Sequence, residues 1–267
     1  KPPMPPLSRR QFSALGLAAL AGPPAWAQVK DLNDAINKAG RQRMLSQRAA
    51  KAYLALALQT LPSQADKALT QSMALFDRQL VELKGFAPAP AIRDTYGQLE
   101  RAWLDYKDRL VGQAASLAGA EGVLAQSETV LALAHQGTVQ LEKTSGQPTG
   151  QLVNLAGRQR MLSQRLAKYA LASGARINPA AAATEIDRNR AEFVAGLKTL
   201  AEAPQATPRI RDTLKLGEQQ WLLFDAAIRS AGRGGSPARD ALAHIMTTSE
   251  NLLLVLDDVT GLYAALG

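Results

Sequence analysis

The nine-residue string Gly-Arg-Gln-Arg-Met-Leu-Ser-Gln-Arg occurs at 40–48 and again at 157–165, 117 positions later. Nine identities at that distance mark an internal duplication, and a duplicated chain is expected to build two copies of one architecture. The same offset pairs Ile36-Asn37 with Val153-Asn154, Lys51 with Lys168, and Phe76 with Phe193. Beyond a one-residue insertion, Ile92-Arg93-Asp94-Thr95 aligns with Ile210-Arg211-Asp212-Thr213, and Trp103-Leu104 with Trp221-Leu222. After four more inserted residues, Ser127-Glu128 answers Ser249-Glu250. Insertions of that size fall where loops join helices. The two repeats span 28–148 and 149–267.

Within each repeat the apolar residues recur three and four apart, as in Leu69, Met73, Phe76, Leu80 and Leu83. Alanine and leucine dominate and β-branched runs are scarce, which favours helix over strand. Asn178-Pro179, Thr207-Pro208 and Ser236-Pro237 each set a capping side chain before a proline suited to the first helical position. Pro62, Pro88 and Pro90 punctuate the first repeat, Gly119 to Gly122 marks a further break, and Ser145 to Gly150 separates the repeats. The expected helices cover 30–59, 63–85, 90–117, 121–144, 150–173, 179–201, 208–231 and 237–264. Short connections between long helices predict an all-α fold of two similar four-helix up-down bundle halves.

Residues 1–27 read as an export segment. Ser8-Arg9-Arg10-Gln11-Phe12 precedes a weakly apolar run from Ala14 to Ala21, and Ala25-Trp26-Ala27 supplies a small-x-small cleavage site. The arginine pair resembles a twin-arginine signal, so the mature chain is expected in the periplasm. The segment carries three cations and no acid, and its removal lowers the net charge from +8 to +5. Six of the remaining cations lie in the two motif copies, which leaves the rest near balance and gives no basic stripe for nucleic acid. With no cysteine there is neither a disulfide framework nor thiolate chemistry. No apolar run after residue 27 approaches the roughly 18–20 residues that span a bilayer.

On the first helix, Ile36, Gly40, Arg43, Gln47, Ala50 and Leu54 alternate in steps of four and three, the spacing of a helix-packing seam. Val153, Gly157, Arg160, Gln164, Ala167 and Leu171 repeat it. Gly40 and Gly157 allow close approach, and one turn on an arginine stands where a leucine would pack. If the two seams meet about a pseudo-twofold axis, Arg43 and Arg160 face each other. Two guanidiniums about 7 Å apart repel by roughly 2–3 kcal/mol at an effective dielectric near 20. Such a pair calls for an anion between its members, and a planar oxyanion such as nitrate matches the guanidinium fork. The competing reading pairs each arginine with Asp or Glu from another helix as a structural ion pair.

Gln47 and Gln164 share the arginines' face and are candidate donors. Arg41 and Arg158 lie off the stripe and are placed beside the anion, behind the contacting arginines. Arg48 and Arg165, also off the stripe, are expected in salt bridges or in water. Met44, Met161, Leu45, Leu162 and the Phe76/Trp103 and Phe193/Trp221 pairs read as core. His135 and His244 do not correspond between repeats; His135 aligns near Asp257. Neither has metal-ligand spacing, so no metal, cofactor or catalytic residue is expected, and the chain is not read as an enzyme.

At these residues a resemblance enters. Asn-x-Ala-Gly-Arg-Gln-Arg-Met-Leu-Ser-Gln-Arg resembles the signature of PilJ-type domains, found at the N-terminus of type IV pilus methyl-accepting chemotaxis transducers. It is also similar to the nitrate-binding helix in the sensor domain of nitrate/nitrite sensor histidine kinases. That resemblance implies a helical bundle in which one arginine from each of two subunits grips nitrate. The arginine falls on Arg43 and Arg160, the family glycine on Gly40 and Gly157, and the tandem copy implies that one chain supplies both halves. Arg-Gln between glycine and arginine, and Leu45 and Gln47 after the methionine, depart from the kinase pattern. The expectation is a soluble periplasmic sensor for nitrate or nitrite that signals to a membrane sensor or transporter protein. The alternative is a helical interaction module that binds no ligand.

Overall fold

A computed structural model of the chain describes residues 28–232 and 238–266. Among these residues lie eight helices and no strand: α1 Leu32–Ala57, α2 Pro62–Phe86, α3 Pro90–Val111, α4 Leu117–Ser145, α5 Pro148–Gly174, α6 Pro179–Glu202, α7 Pro208–Gly232 and α8 Ala238–Ala264. The expected all-α fold with a four-helix unit in each repeat is what forms. The export segment 1–27 and the Ser236-Pro237 break lie outside the described residues.

Helix ends follow local chemistry. The Asp31 carboxylate caps α1 by accepting from the Asp34 N–H at 2.8 Å, and Thr207 Oγ1 accepts from Ile210 N–H at 3.3 Å ahead of α7. Asn178 departs from the expected side-chain cap: it sits at φ 44° and makes no capping bond before Pro179. It thereby uses the left-handed tolerance of asparagine rather than its amide. Gln59 and Arg176 also take positive φ, and the Thr60 and Ile177 N–H groups donate back to Ala55 and Ala172 carbonyls, closing α1 and α5 alike. The break between α3 and α4 comes earlier than Gly119–Gly122. Ser116 caps α4 by accepting from Gly119 N–H, and both glycines lie inside the helix. Gly119 is kept bare there because a Cβ would run into the Tyr53 hydroxyl.

Short connections make successive helices alternate in direction, so α1 and α5, four apart, run the same way. The bonding agrees: the Ser249 backbone carbonyl accepts from Gln164 of its own half, and its hydroxyl accepts from Lys51 of the other. In each half the first helix packs on the second and fourth, and the third packs on the fourth. The halves join where α1 packs along α5. Leu69, Phe76, Leu80 and Leu83 are buried as their spacing predicts, and Phe76–Trp103 and Phe193–Trp221 stack in equivalent places. Being central, α1 and α5 have almost no solvent face, so their polar residues go inside. Gln42, Arg43, Ser46, Gln47 and Lys51, and their counterparts in α5, are all buried.

Candidate functional site

The motif glycines mark the crossing of α1 and α5. A Cβ added to Gly40 would stand 3.7 Å from the Gly157 Cα, and one on Gly157 would stand 3.7 Å from the Gly40 Cα. A Cβ at either position would thus be in ordinary van der Waals contact with the facing helix, and at Gly40 it would press on Arg43 Nη2 at 3.2 Å. Over this contact the two arginines converge, since an Nη2 from each lies 3.4 Å from where a Gly157 Cβ would be. Both guanidiniums are fully buried, a costly condition for a cation without compensation.

Compensation differs between the two. Arg160 ion-pairs with Asp257 and donates to the side-chain and backbone oxygens of Asn37 at 2.9 and 3.0 Å. Arg43 has only neutral acceptors, the Asn154 carbonyl at 3.1 Å and His135 Nδ1 at 3.2 Å, and makes no salt bridge among the described residues. Neither Nε finds an acceptor. Burial, with Arg158 and Arg160 nearby, pushes the Arg43 pKa down to about 9. Burial and Arg41 lower Arg160 to about 10 despite the opposing pull of Asp257.

The flanking arginines complete two unequal corners. Where α1 meets α8, Arg41 also binds the Asp257 carboxylate at 2.8 Å, so one acid bridges Arg41 and Arg160. Where α4 meets α5, Arg158 pairs instead with Glu192 of α6, and His135 occupies the position equivalent to Asp257. Burial and the charges of Arg43 and Arg158 depress the His135 pKa to about 4, so its ring is neutral at pH 7. A cavity of about 200 Å³ opens at this corner, lined among others by Arg43, His135, Arg158, Arg165 and Glu128.

One to two turns further along α1 and α5, two ion clusters tie the halves together. Arg48 grips the Glu250 carboxylate with Nε and Nη2, and the fully buried Lys51 reaches the same group and Ser249 Oγ. The mirror cluster joins Arg165 and Lys168 to Glu128 and Ser127. Each binds the motif helix of one repeat to the last helix of the other. Burial alone would raise the Glu250 pKa, but Lys51 and Arg48 bring it down to about 2. Burial lowers the Lys168 pKa to about 8 against the pull of Glu128.

The structure therefore brings Arg43, Arg160, Gly40 and Gly157 to one place and sets Arg41 and Arg158 beside it. It puts Gln47 and Gln164 elsewhere. Their amide nitrogens donate to Ser127 and Ser249 carbonyls and to the adjacent Ser46 and Ser163 hydroxyls, so these donors pin each motif helix to the fourth helix of its own half. Arg48 and Arg165 form the expected salt bridges. The importance of Lys51, Lys168, Glu128, Glu250 and the His135/Asp257 pair was not seen from sequence. A signal existed: acids and bases recurred together at the repeat offset, and the one histidine opposite an aspartate broke the pattern.

Comparison with protein families gives two matches, at residues 25–136 and 144–243, to PilJ, described as the type IV pili methyl-accepting chemotaxis transducer N-terminal domain. The chain belongs to this family. Two PilJ matches on one chain coincide with the duplication, and the family description makes this a sensory helical domain. No curated protein and no solved structure matches. Among the described residues, no helix of this tandem PilJ chain is long and apolar enough to cross a membrane.

Proposed function

We propose that this tandem PilJ chain is a periplasmic sensor that holds a small oxyanion at the arginines of its paired motif helices and passes occupancy to a membrane sensor or transporter protein. Nitrate and nitrite are the first candidates, from the resemblance of the motif to nitrate-sensing helices and the match of a planar oxyanion to guanidinium. The observation that carries the reading is Arg43, a fully buried cation whose direct partners include no carboxylate, with Glu142 and Glu192 acting only from farther off. A bound anion would supply the missing charge and the acceptor that its Nε lacks.

Titration calorimetry of the protein with nitrate, nitrite, sulfate and acetate tests this. A charge-assisted hydrogen bond contributes about 1.5–3 kcal/mol, so Arg43→Ala should weaken binding at least about tenfold. Ligand should raise the melting temperature of the wild type and leave that of the variant unchanged. The Arg160–Asp257 ion pair favours the second reading, a helical interaction module whose arginines are purely structural. Absence of any anion-dependent stabilisation in the wild type would decide for it.

A further inference from the structure

We propose that the corner between α4 and α5 is a seat for one small carboxylate, which bridges Arg43 and Arg158 beside His135. The inference rests on the oxyanion-binding reading and moves the ligand off the pseudo-twofold axis into the cavity. The second repeat displays the bound form with a ligand of its own. There the Asp257 carboxylate spans Arg160 of its repeat and Arg41 of the other. Under the repeat symmetry, Arg160 becomes Arg43, Arg41 becomes Arg158 and Asp257 becomes His135. Every cation of the liganded corner is thus present in the first corner, but its acid, Glu192 of α6 at the position of Leu75, reaches Arg158 alone, and among the described residues no carboxylate contacts Arg43.

What replaces it fits a visitor. The neutral imidazole of His135 offers Arg43 an acceptor without charge, and the cavity of about 200 Å³ beside it reaches Arg43 and Arg158. That volume is below the roughly 300 Å³ at which drug-sized pockets begin and suits a carboxylate of about two to four carbons. Glu128 on the wall is already engaged by Arg165 and Lys168, and Glu192 by Arg158. The incoming anion therefore meets one cation short of a partner, Arg43, and one shared, Arg158. The axis itself is a poorer seat, since Arg160 is committed to Asp257 and Asn37.

The symmetry dictates the experiment: titrate acetate and nitrate into wild type, His135→Asp, Arg158→Ala, Arg160→Ala and Asp257→His, reading affinity and stoichiometry by calorimetry. Wild type should bind one acetate per chain. His135→Asp installs the internal carboxylate and should abolish binding while raising the melting temperature. Arg158→Ala should weaken acetate at least tenfold, and Arg160→Ala by less than threefold. Asp257→His opens the second corner and should raise the stoichiometry to two. Equal losses in Arg158→Ala and Arg160→Ala would put the ligand back on the axis and overturn the proposal. So would unchanged acetate binding in His135→Asp, or nitrate binding to a wild type that ignores acetate. A wild type that binds no anion would sink the oxyanion reading itself.

Discussion

In the second repeat a carboxylate of α8 neutralises the buried arginine of α5, whereas in the first repeat a histidine of α4 faces the buried arginine of α1 without charge. What differs is where the acid sits: Asp257 bridges Arg160 and Arg41, whereas Glu192, at the position of Leu75, reaches Arg158 and leaves Arg43 to His135. Of the four motif arginines at the corners, three are paired with an acid, and Arg43 alone makes no salt bridge among the described residues. Duplication supplied the geometry, and divergence at His135/Asp257 and at Glu192/Leu75 made the two corners unlike.

The ion clusters one to two turns further along differ by degree, and breaking them should have the largest effects. Among the described residues Glu250 is the only acid paired with Arg48 and Lys51, whereas Arg165 in the mirror cluster also has Glu185 at 3.1 Å. Removing one partner of a buried pair strands the other charge, at about 3–5 kcal/mol. Glu250→Gln should thus cost about 3 kcal/mol in urea unfolding, because its carboxylate is partly solvated. Glu128→Gln should cost about 1 kcal/mol less, because Glu185 still serves Arg165. Equal losses would mean that the clusters are energetically alike.

The corners should separate in their response to acid. With its folded pKa near 4, His135 binds its proton in the unfolded chain first. Stability therefore falls as pH drops from about 6.5 to about 4. Because the ring is only half-buried, that loss should be about 1 kcal/mol, and His135→Gln should remove it. A second fall, below about pH 4.5, comes from Glu250, whose folded pKa near 2 lies under its unfolded value, together with Glu128 and Asp257, which are lowered by their own cationic partners. Urea midpoints measured from pH 7 to pH 3 in both proteins check the order. A variant that keeps the first phase would assign it to another group.

The smallest difference lies on the outer faces. In the first half Asp77 accepts from the Trp103 indole at 2.7 Å and from Lys107 at 2.8 Å, bridging α2 and α3. In the second half Val194 replaces the aspartate and lines, with Trp221 and the exposed Leu222, an open groove between α6 and α7. Asp77→Val should make the first half like the second and cost about 1 kcal/mol, the net worth of one hydrogen bond, read as a small drop in urea midpoint. The solvated Lys107 contact adds little.

Much of this organisation was legible in the chain. The offset of 117 fixed the duplication, and the prolines fixed most helix starts within a residue or two. Gly40 and Gly157 announced the crossing because bare positions on a seam have few other uses. The loop between α3 and α4 ends before Gly119, which is glycine for the sake of Tyr53, a residue of another helix, and not for a turn. Gln47 and Gln164 share the arginines' stripe, yet a stripe on a central helix faces several neighbours, and only packing decides which one a side chain meets. The unequal corners hinge on long-range pairs such as Arg41–Asp257, and no local pattern encodes them.

The connection between α4 and α5 is short: Gly146 at φ 62° turns the chain and Pro148 starts the next helix. Two separate subunits related by a true twofold axis must carry identical residues at both corners, and they come apart on dilution. Covalent linkage removes both constraints. The partner motif helix is present at a fixed effective concentration however scarce the protein is, so the pairing of α1 with α5 does not depend on protein concentration. The halves are also free to become unlike, one held shut by its own aspartate and one left to the surroundings. A sensory domain made this way carries two unlike versions of one corner in a single polypeptide.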